Sequence, residues 1–163
     1  MKLLDITVNN FRSINGENVK LSLEGSDIIF VFGQNNAGKS SWLSAYEYLI
    51  SPKQKAILSD FLGFSEENPI VILATFVKGE GDDAIFAEKG FDKWVDKDGK
   101  LKFRKTWKNA DTEGQKETFD PAINEYVLNG FGGLEQHLTK QAPTPVRIPA
   151  LPTQAELTKF IKD

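Results

Sequence analysis

The sequence predicts an α/β fold in which a buried strand runs through a glycine-rich loop into an amphipathic helix and an antiparallel β region follows. Three observations carry that prediction. First, the apolar run Ile28-Ile29-Phe30-Val31-Phe32 gives way at Gly33 to a polar, glycine-bounded loop and then to apolar residues at helical spacing. Second, Leu4, Ile6 and Val8, and later Val19, Leu21 and Leu23, alternate with polar neighbours at the period of a half-buried strand. Third, the apolar stretch from Pro69 to Val77 is followed by an aspartate-glycine turn, Asp96-Lys97-Asp98-Gly99, between further apolar runs.

Taken in order, the first 32 residues read as three strands. The two alternating ones are separated by the turn-like Asn15-Gly16, and the third, 28–32, is apolar throughout, as a strand covered on both faces would be. A helix follows, with Trp42, Leu43, Tyr46, Leu49 and Ile50 on one face. Ser51-Pro52 ends it, because the residue before proline is pushed out of the α region. Residues 53–63 are ambiguous between loop and short helix. The segment 69–77 is a strand, Gly79 to Asp83 a turn, and 91–107 a hairpin with Leu101, Phe103 and Trp107 on one face of its second arm. Residues 109–118 read as a polar loop. Asp120-Pro121 reads as a helix start with proline at the first helical position, and Gly130 as its stop. A short helix is expected over 134–141 and a short strand at Val146-Arg147-Ile148. A capping box, Thr153-Gln154-Ala155-Glu156, opens a last helix. The whole is one domain over 1–163, with a β-hairpin subdomain at about 69–108 and the start of a helical region at about 153–163.

Composition narrows the chemistry. At 163 residues the chain can bury a sizeable core, and its 40% hydrophobic and 26% charged content is that of an ordinary folded domain. A net charge of −3 speaks against a nucleic-acid module acting by bulk charge. With no cysteine and one histidine, His137, thiolate and multi-histidine metal sites are excluded. His137 itself is expected at the surface or half-buried. A charge at Asp5 interrupts the N-terminal apolar run, and no apolar stretch approaches the ~20 residues of a membrane span, so the expected compartment is the cytoplasm, with no membrane partner.

The loop Gly33-Gln34-Asn35-Asn36-Ala37-Gly38-Lys39-Ser40 matches G-x-x-x-x-G-K-[ST] in full, and lies between an apolar run and a helical pattern, the setting that motif requires. Glycines at 33 and 38 permit backbone angles and close approaches that a side chain would block. Loop N–H groups and the positive end of the following helix then meet at one point, which suits a phosphate. Lys39 is expected to supply charge to the β- and γ-phosphates, and the Ser40 hydroxyl to ligate Mg²⁺. The implied ligand is ATP or a similar nucleoside triphosphate. An acid at the end of an apolar strand should hold the metal or activate water. The candidates are Asp60, after Ile57-Leu58-Ser59, and Glu88, after Ile85-Phe86-Ala87; a plain solvated acid is the competing reading for each. Lys100, Lys102, Arg104, Lys105 and Lys108 form a basic strand region, read either as a solvated hairpin or as a phosphate-backbone contact. Trp94 and Trp107 are expected in the hairpin core.

Three segments carry a family resemblance: Leu4-Asp5-Ile6-Thr7-Val8-Asn9-Asn10-Phe11-Arg12-Ser13, the strand Val19-Lys20-Leu21-Ser22-Leu23, and the loop through Ser41. On these the chain resembles the N-terminal lobe of an ABC-type ATPase of the RecF, SMC and OLD (overcoming lysogenization defect) group. The resemblance implies a P-loop lobe with an antiparallel β-hairpin subdomain, truncated before the helical subdomain. It implies that Arg12, in the element Asn10-Phe11-Arg12, approaches the nucleotide phosphates, with a surface arginine as the alternative. It also implies a second ATPase head as partner, as a homo- or heterodimer, and DNA contact only through a full-length protein. The signature motif and second acidic motif of the group are not found in the chain, and Gln154 is only a faint candidate for its Mg²⁺-sensing glutamine. The expectation is therefore a nucleotide-binding lobe, poorly hydrolytic alone, working in DNA repair, chromosome maintenance or phage defence. The rival readings are a non-catalytic regulator that pairs with complete heads and a small P-loop kinase.

Overall fold

Alternation at the N-terminus builds the first strand, β1 (Lys2–Asn9), in which Leu4, Ile6 and Val8 face inward. The computed structural model describes residues 1–25, 29–34 and 37–146. Five more strands join β1: β2 (Val19–Ser22), β3 (Ile70–Val77), β4 (Lys100–Trp107), β5 (Gln115–Asp120) and β6 (Glu125–Leu128). They form one six-stranded antiparallel sheet in the order β2-β1-β3-β4-β5-β6.

Register explains the core. Ile6 lies opposite Ala74, and Ala74 opposite Phe103. Val8 lies opposite Ile72, and Ile72 opposite Lys105. These side chains share the covered face, together with Ile70, Phe76, Leu101 and Trp107. The opposite face carries charge: Lys20 pairs with Asp5 at 3.0 Å, and Arg104 makes a bidentate pair with Glu117, both bonds 2.7 Å. A sheet with one buried and one solvated face needs the alternation that the sequence displays.

Helix α1 (Lys39–Ile50) covers the apolar face against β3 and β1. Its buried residues are Ser41, Ser44, Ala45, Tyr46 and Leu49, so the covered stripe is rotated from the one expected; Trp42, Leu43 and Ile50 are only half-buried. It ends at Ser51, whose extended ψ of 120° is what the following proline demands. Helix α2 (Asp82–Lys89) and helix α3 (Glu135–Gln141) complete the described helices.

Several expectations are corrected. Residues 29–32 form no strand: Phe30 is 73% and Phe32 87% exposed, and neither β2 nor β6, the sheet's edge strands, pairs with them. An apolar run becomes a two-sided buried strand only with neighbours on both sides, and no described strand supplies them. The expected first hairpin arm is a 3₁₀ turn, Phe91–Trp94, entered through Gly90 in the left-handed conformation (φ 68°). The Asp96–Gly99 turn is real, with Asp96 Oδ1 accepting from the N–H groups of Asp98 and Lys100, both at 2.9 Å. Residues 115–118, expected as part of a polar loop over 109–118, lie in β5. The expected helix over 120–130 is instead a turn and β6: Asp120 Oδ1 accepts from Ala122 N–H at 2.9 Å, and Tyr126 packs on Phe119 across the strands. Proline after aspartate suits that turn as well as it suits a helix start. The β region is thus not a separate hairpin over 69–108 but continuous with β1 and β2. The strand expected at 146–148 and the helix at 153–163 fall, apart from Val146, outside the described residues.

Candidate functional site

The turn into α1 is set by Gly38, which sits at φ 85°, ψ 8° as the helix N-cap. A Cβ there would lie 3.2 Å from both Ser13 Oγ and Ile14 Cγ1, so glycine is required by conformation and by close packing. Ser41 N–H closes onto Gly38 O at 3.0 Å, and Ala37 N–H onto Gln34 O at 3.2 Å. Lys39 turns back over the loop: its Nζ donates to Gly33 O at 2.7 Å and Gln34 O at 2.5 Å. Asn35 and Asn36 fall outside the described residues. Ser40 is exposed, and Ser41 is buried against the fold.

Arg12 reaches the same place from the other direction. Its backbone is left-handed (φ 56°), which turns the chain just after β1. Its Nε donates to Asp60 Oδ1 and its Nη1 to Ser44 Oγ, both at 2.9 Å, while the guanidinium lies 4.9 Å from the Phe11 ring centroid. Asp60 is 2% exposed and is fully engaged: besides Arg12 it accepts from Tyr48 Oη at 2.8 Å and Ile57 N–H at 3.0 Å. Burial, then the Asp60 carboxylate, hold the Tyr48 hydroxyl above its ordinary range. Asp60 is therefore not the solvated acid of one reading, nor the strand-end acid of the other, but a buried anchor for Arg12. Glu88 ends no strand either; it lies on α2, exposed and paired with Lys89 at 2.7 Å.

Between these elements lies a cleft of about 660 Å³, lined by Arg12, Ser13, Lys39, Ser40, Ser59 and Phe64 among others. Two cations and several hydroxyls converge there, and among the described residues that line it none is a carboxylate. The donor set fits an anion carrying several oxygens. Residues 1–135 match the family described as AAA ATPase domain. The chain belongs to that family. Its matched span takes in all six strands, the glycine-rich loop, Arg12 and Asp60. No curated protein matches the chain.

An AAA ATPase domain implies nucleotide binding, with ATP and usually Mg²⁺. In this domain the exposed Ser40 hydroxyl is available to a hard cation, which takes oxygen ligands from protein, phosphate and water. Among the described residues no cluster of three or more His, Asp or Glu forms a separate metal site. Among them, too, no helix is long and apolar enough to cross a membrane.

The basic strand of this AAA ATPase domain is not a free cationic stripe. Lys100 pairs with Glu24 at 3.2 Å, Lys102 with Asp96 at 3.0 Å, and Arg104 with Glu117. Lys105 points inward, fully buried, and donates to Tyr48 O at 3.0 Å and Ser51 O at 2.7 Å at the C-terminus of α1. Trp94 and Trp107 are buried as expected. His137 is not a surface residue: it is buried, 2.9 Å from Asp82 Oδ1, and lines no part of the cleft. The Asp60 anchor was missed because its strand is absent; the signal available was an acid among apolar residues, Ile57, Leu58 and Phe61.

Proposed function

We propose that the loop Gly33–Ser41 binds ATP with Mg²⁺ and that the chain is the nucleotide-binding lobe of a RecF, SMC and OLD-like ATPase. The observation that carries this reading is the meeting of Arg12 with Gly38, Lys39 and Ser40 on one cleft. An element before the loop and the loop itself, far apart in sequence, thus supply charge to the same space. Lys39 has three donors, two of them on the loop carbonyls, which keeps its charge at the loop. The N-terminus of α1, twelve residues long, adds its partial positive charge beside it. Arg12 contacts the γ-phosphate end, and Ser40 ligates the metal, which neutralises phosphate charge when bound. The group-level resemblance supports work with a second ATPase head, and with DNA through a full-length protein.

Lys39→Ala is expected to abolish binding of a fluorescent ATP analogue while the circular-dichroism melt stays within a few degrees of wild type. Unchanged affinity would overturn the assignment of the loop. A second reading, a regulator that pairs with complete heads, is favoured by one feature: among the described residues the cleft lining holds no carboxylate to orient water. Titrating the chain into a complete head tests it, and a changed ATPase rate in that head is the expected sign.

A further inference from the structure

Phosphate chemistry uses only part of the cleft. Its lining also includes Phe61, Gly63 and Phe64. Phe61 is buried and belongs to the core, bridged to Phe11. Phe64 does not: 69% of it is exposed. Among the described residues no aromatic ring packs against it in the way that Phe11 packs on Tyr48.

The backbone holds Phe64 out of the core. Gly63 and Phe64 are both left-handed, at φ 65° and 57°, a conformation that bulky residues seldom adopt. Phe64 N–H donates to Phe61 O at 3.0 Å, and Leu62 N–H to Asn10 O at 3.2 Å. The segment is therefore tied to the element that carries Arg12, and Arg12 N–H in turn donates to Asp60 O at 2.7 Å. An apolar ring left in water is unfavourable relative to a covered one, and this ring borders a cleft of about 660 Å³, within the ordinary range for small-molecule sites.

A nucleoside triphosphate has two ends, a polyanion and a flat aromatic base. Arg12, Lys39 and Ser40 suit the first. We propose that Phe64 is the base platform of this cleft, stacking its ring on the purine of the bound nucleotide. This rests on the phosphate reading of the loop given above. Stacking on a ring face reads no hydrogen-bond edge, so the platform accepts adenine and guanine alike.

The test measures affinities of the full 163-residue chain for ATP, GTP and inorganic tripolyphosphate by calorimetry. Wild type, Phe64→Ala, Phe64→Trp and Lys39→Ala are compared, with thermal melts to verify folding. Phe64→Ala is expected to weaken ATP and GTP about tenfold, within the range of base–aromatic stacking, and to leave tripolyphosphate unchanged. Phe64→Trp is expected to keep ATP affinity. ATP affinity unchanged in Phe64→Ala, or an equal loss for ATP and tripolyphosphate, would overturn the platform. Lys39→Ala is expected to lose all three ligands. If it loses none while Phe64→Ala still loses ATP, the phosphate assignment falls and the platform stands. Absence of ATP binding by the wild-type chain overturns both.

Discussion

Arg12 is the residue whose surroundings say most. A lone arginine at a strand end would wave in solvent, but here a buried carboxylate, a helix serine and two aromatic rings fix its guanidinium. Arg12→Ala is expected to weaken ATP binding more than ADP binding, because the proposed contact is to the phosphate that ADP lacks. Equal losses, or none, in a titration with both nucleotides would return Arg12 to a structural role. The same substitution leaves Asp60 buried with one charged partner fewer. That costs about 1–3 kcal/mol and is read as a lowered urea midpoint. Asp60→Asn is expected to reproduce part of the ATP-selective loss with Arg12 intact, since Arg12 then has no carboxylate to hold it. Arg12 was legible as a cleft residue only through the resemblance carried by Asn10-Phe11-Arg12, and its contact with phosphate is a proposal. Its anchor was not legible, since Asp60 is 48 residues away and the sole local sign of its burial is its apolar neighbours.

Among the elements, those whose pattern and partners agree were legible. β1, β2 and β3 alternate or run apolar, and each has a neighbour in the sheet. α1 ends at the expected stop, Ser51-Pro52. The errors arise where one pattern fits two structures: Asp120-Pro121 serves a helix start or a turn, and the cross-strand pair Phe119–Tyr126 decides for the turn. Gly38→Ala is expected to cost about 1–2 kcal/mol from the left-handed backbone alone, beyond which Ser13 and Ile14 must yield; a denaturant melt and ATP binding should fall together. At the other end of α1, burial pulls the Lys105 ammonium down to about 8 from 10.5, helped by Lys116 and opposed by Glu135 and Glu113. Between those values the unfolded chain binds more protons than the folded one, so this group makes stability rise with pH. The rise is about 2 kcal/mol from pH 8 to 10. Above pH 10 the Tyr46 and Tyr126 hydroxyls, held above their ordinary range by burial, work in the opposite direction. Urea melts at pH 8 and 10 on wild type and Lys105→Met check this: the variant should lose the rise, and an identical slope in both proteins would refute it.

At the scale of the whole molecule, the described residues form one antiparallel sheet whose apolar face is covered by α1, with the cleft between Arg12 and Lys39 at the front of that helix. The proposed phosphate and metal contacts are gathered there, but among the described residues that line it there is no carboxylate. Phosphoryl transfer depends on an oriented water and on charge at the γ-phosphate, and a missing element of that kind reduces rate by orders of magnitude. The chain alone is therefore expected to bind ATP yet turn it over well below about 1 s⁻¹, the lower end of ordinary enzymes. Steady-state phosphate release, with Lys39→Ala as the contamination control, measures it. A rate of about 1 s⁻¹ or more that vanishes in the control would mean that the chain carries a complete catalytic site.

Lys105 has a mechanical meaning as well. Helix α1 is a rod of twelve residues, about 18 Å long at 1.5 Å per residue. Its front end meets the cleft, and its rear end is bolted by the Lys105 ammonium to β4, in the middle of the sheet. Displacing α1 along its axis would break both Lys105 hydrogen bonds, so the sheet anchors the helix whose front end meets the cleft.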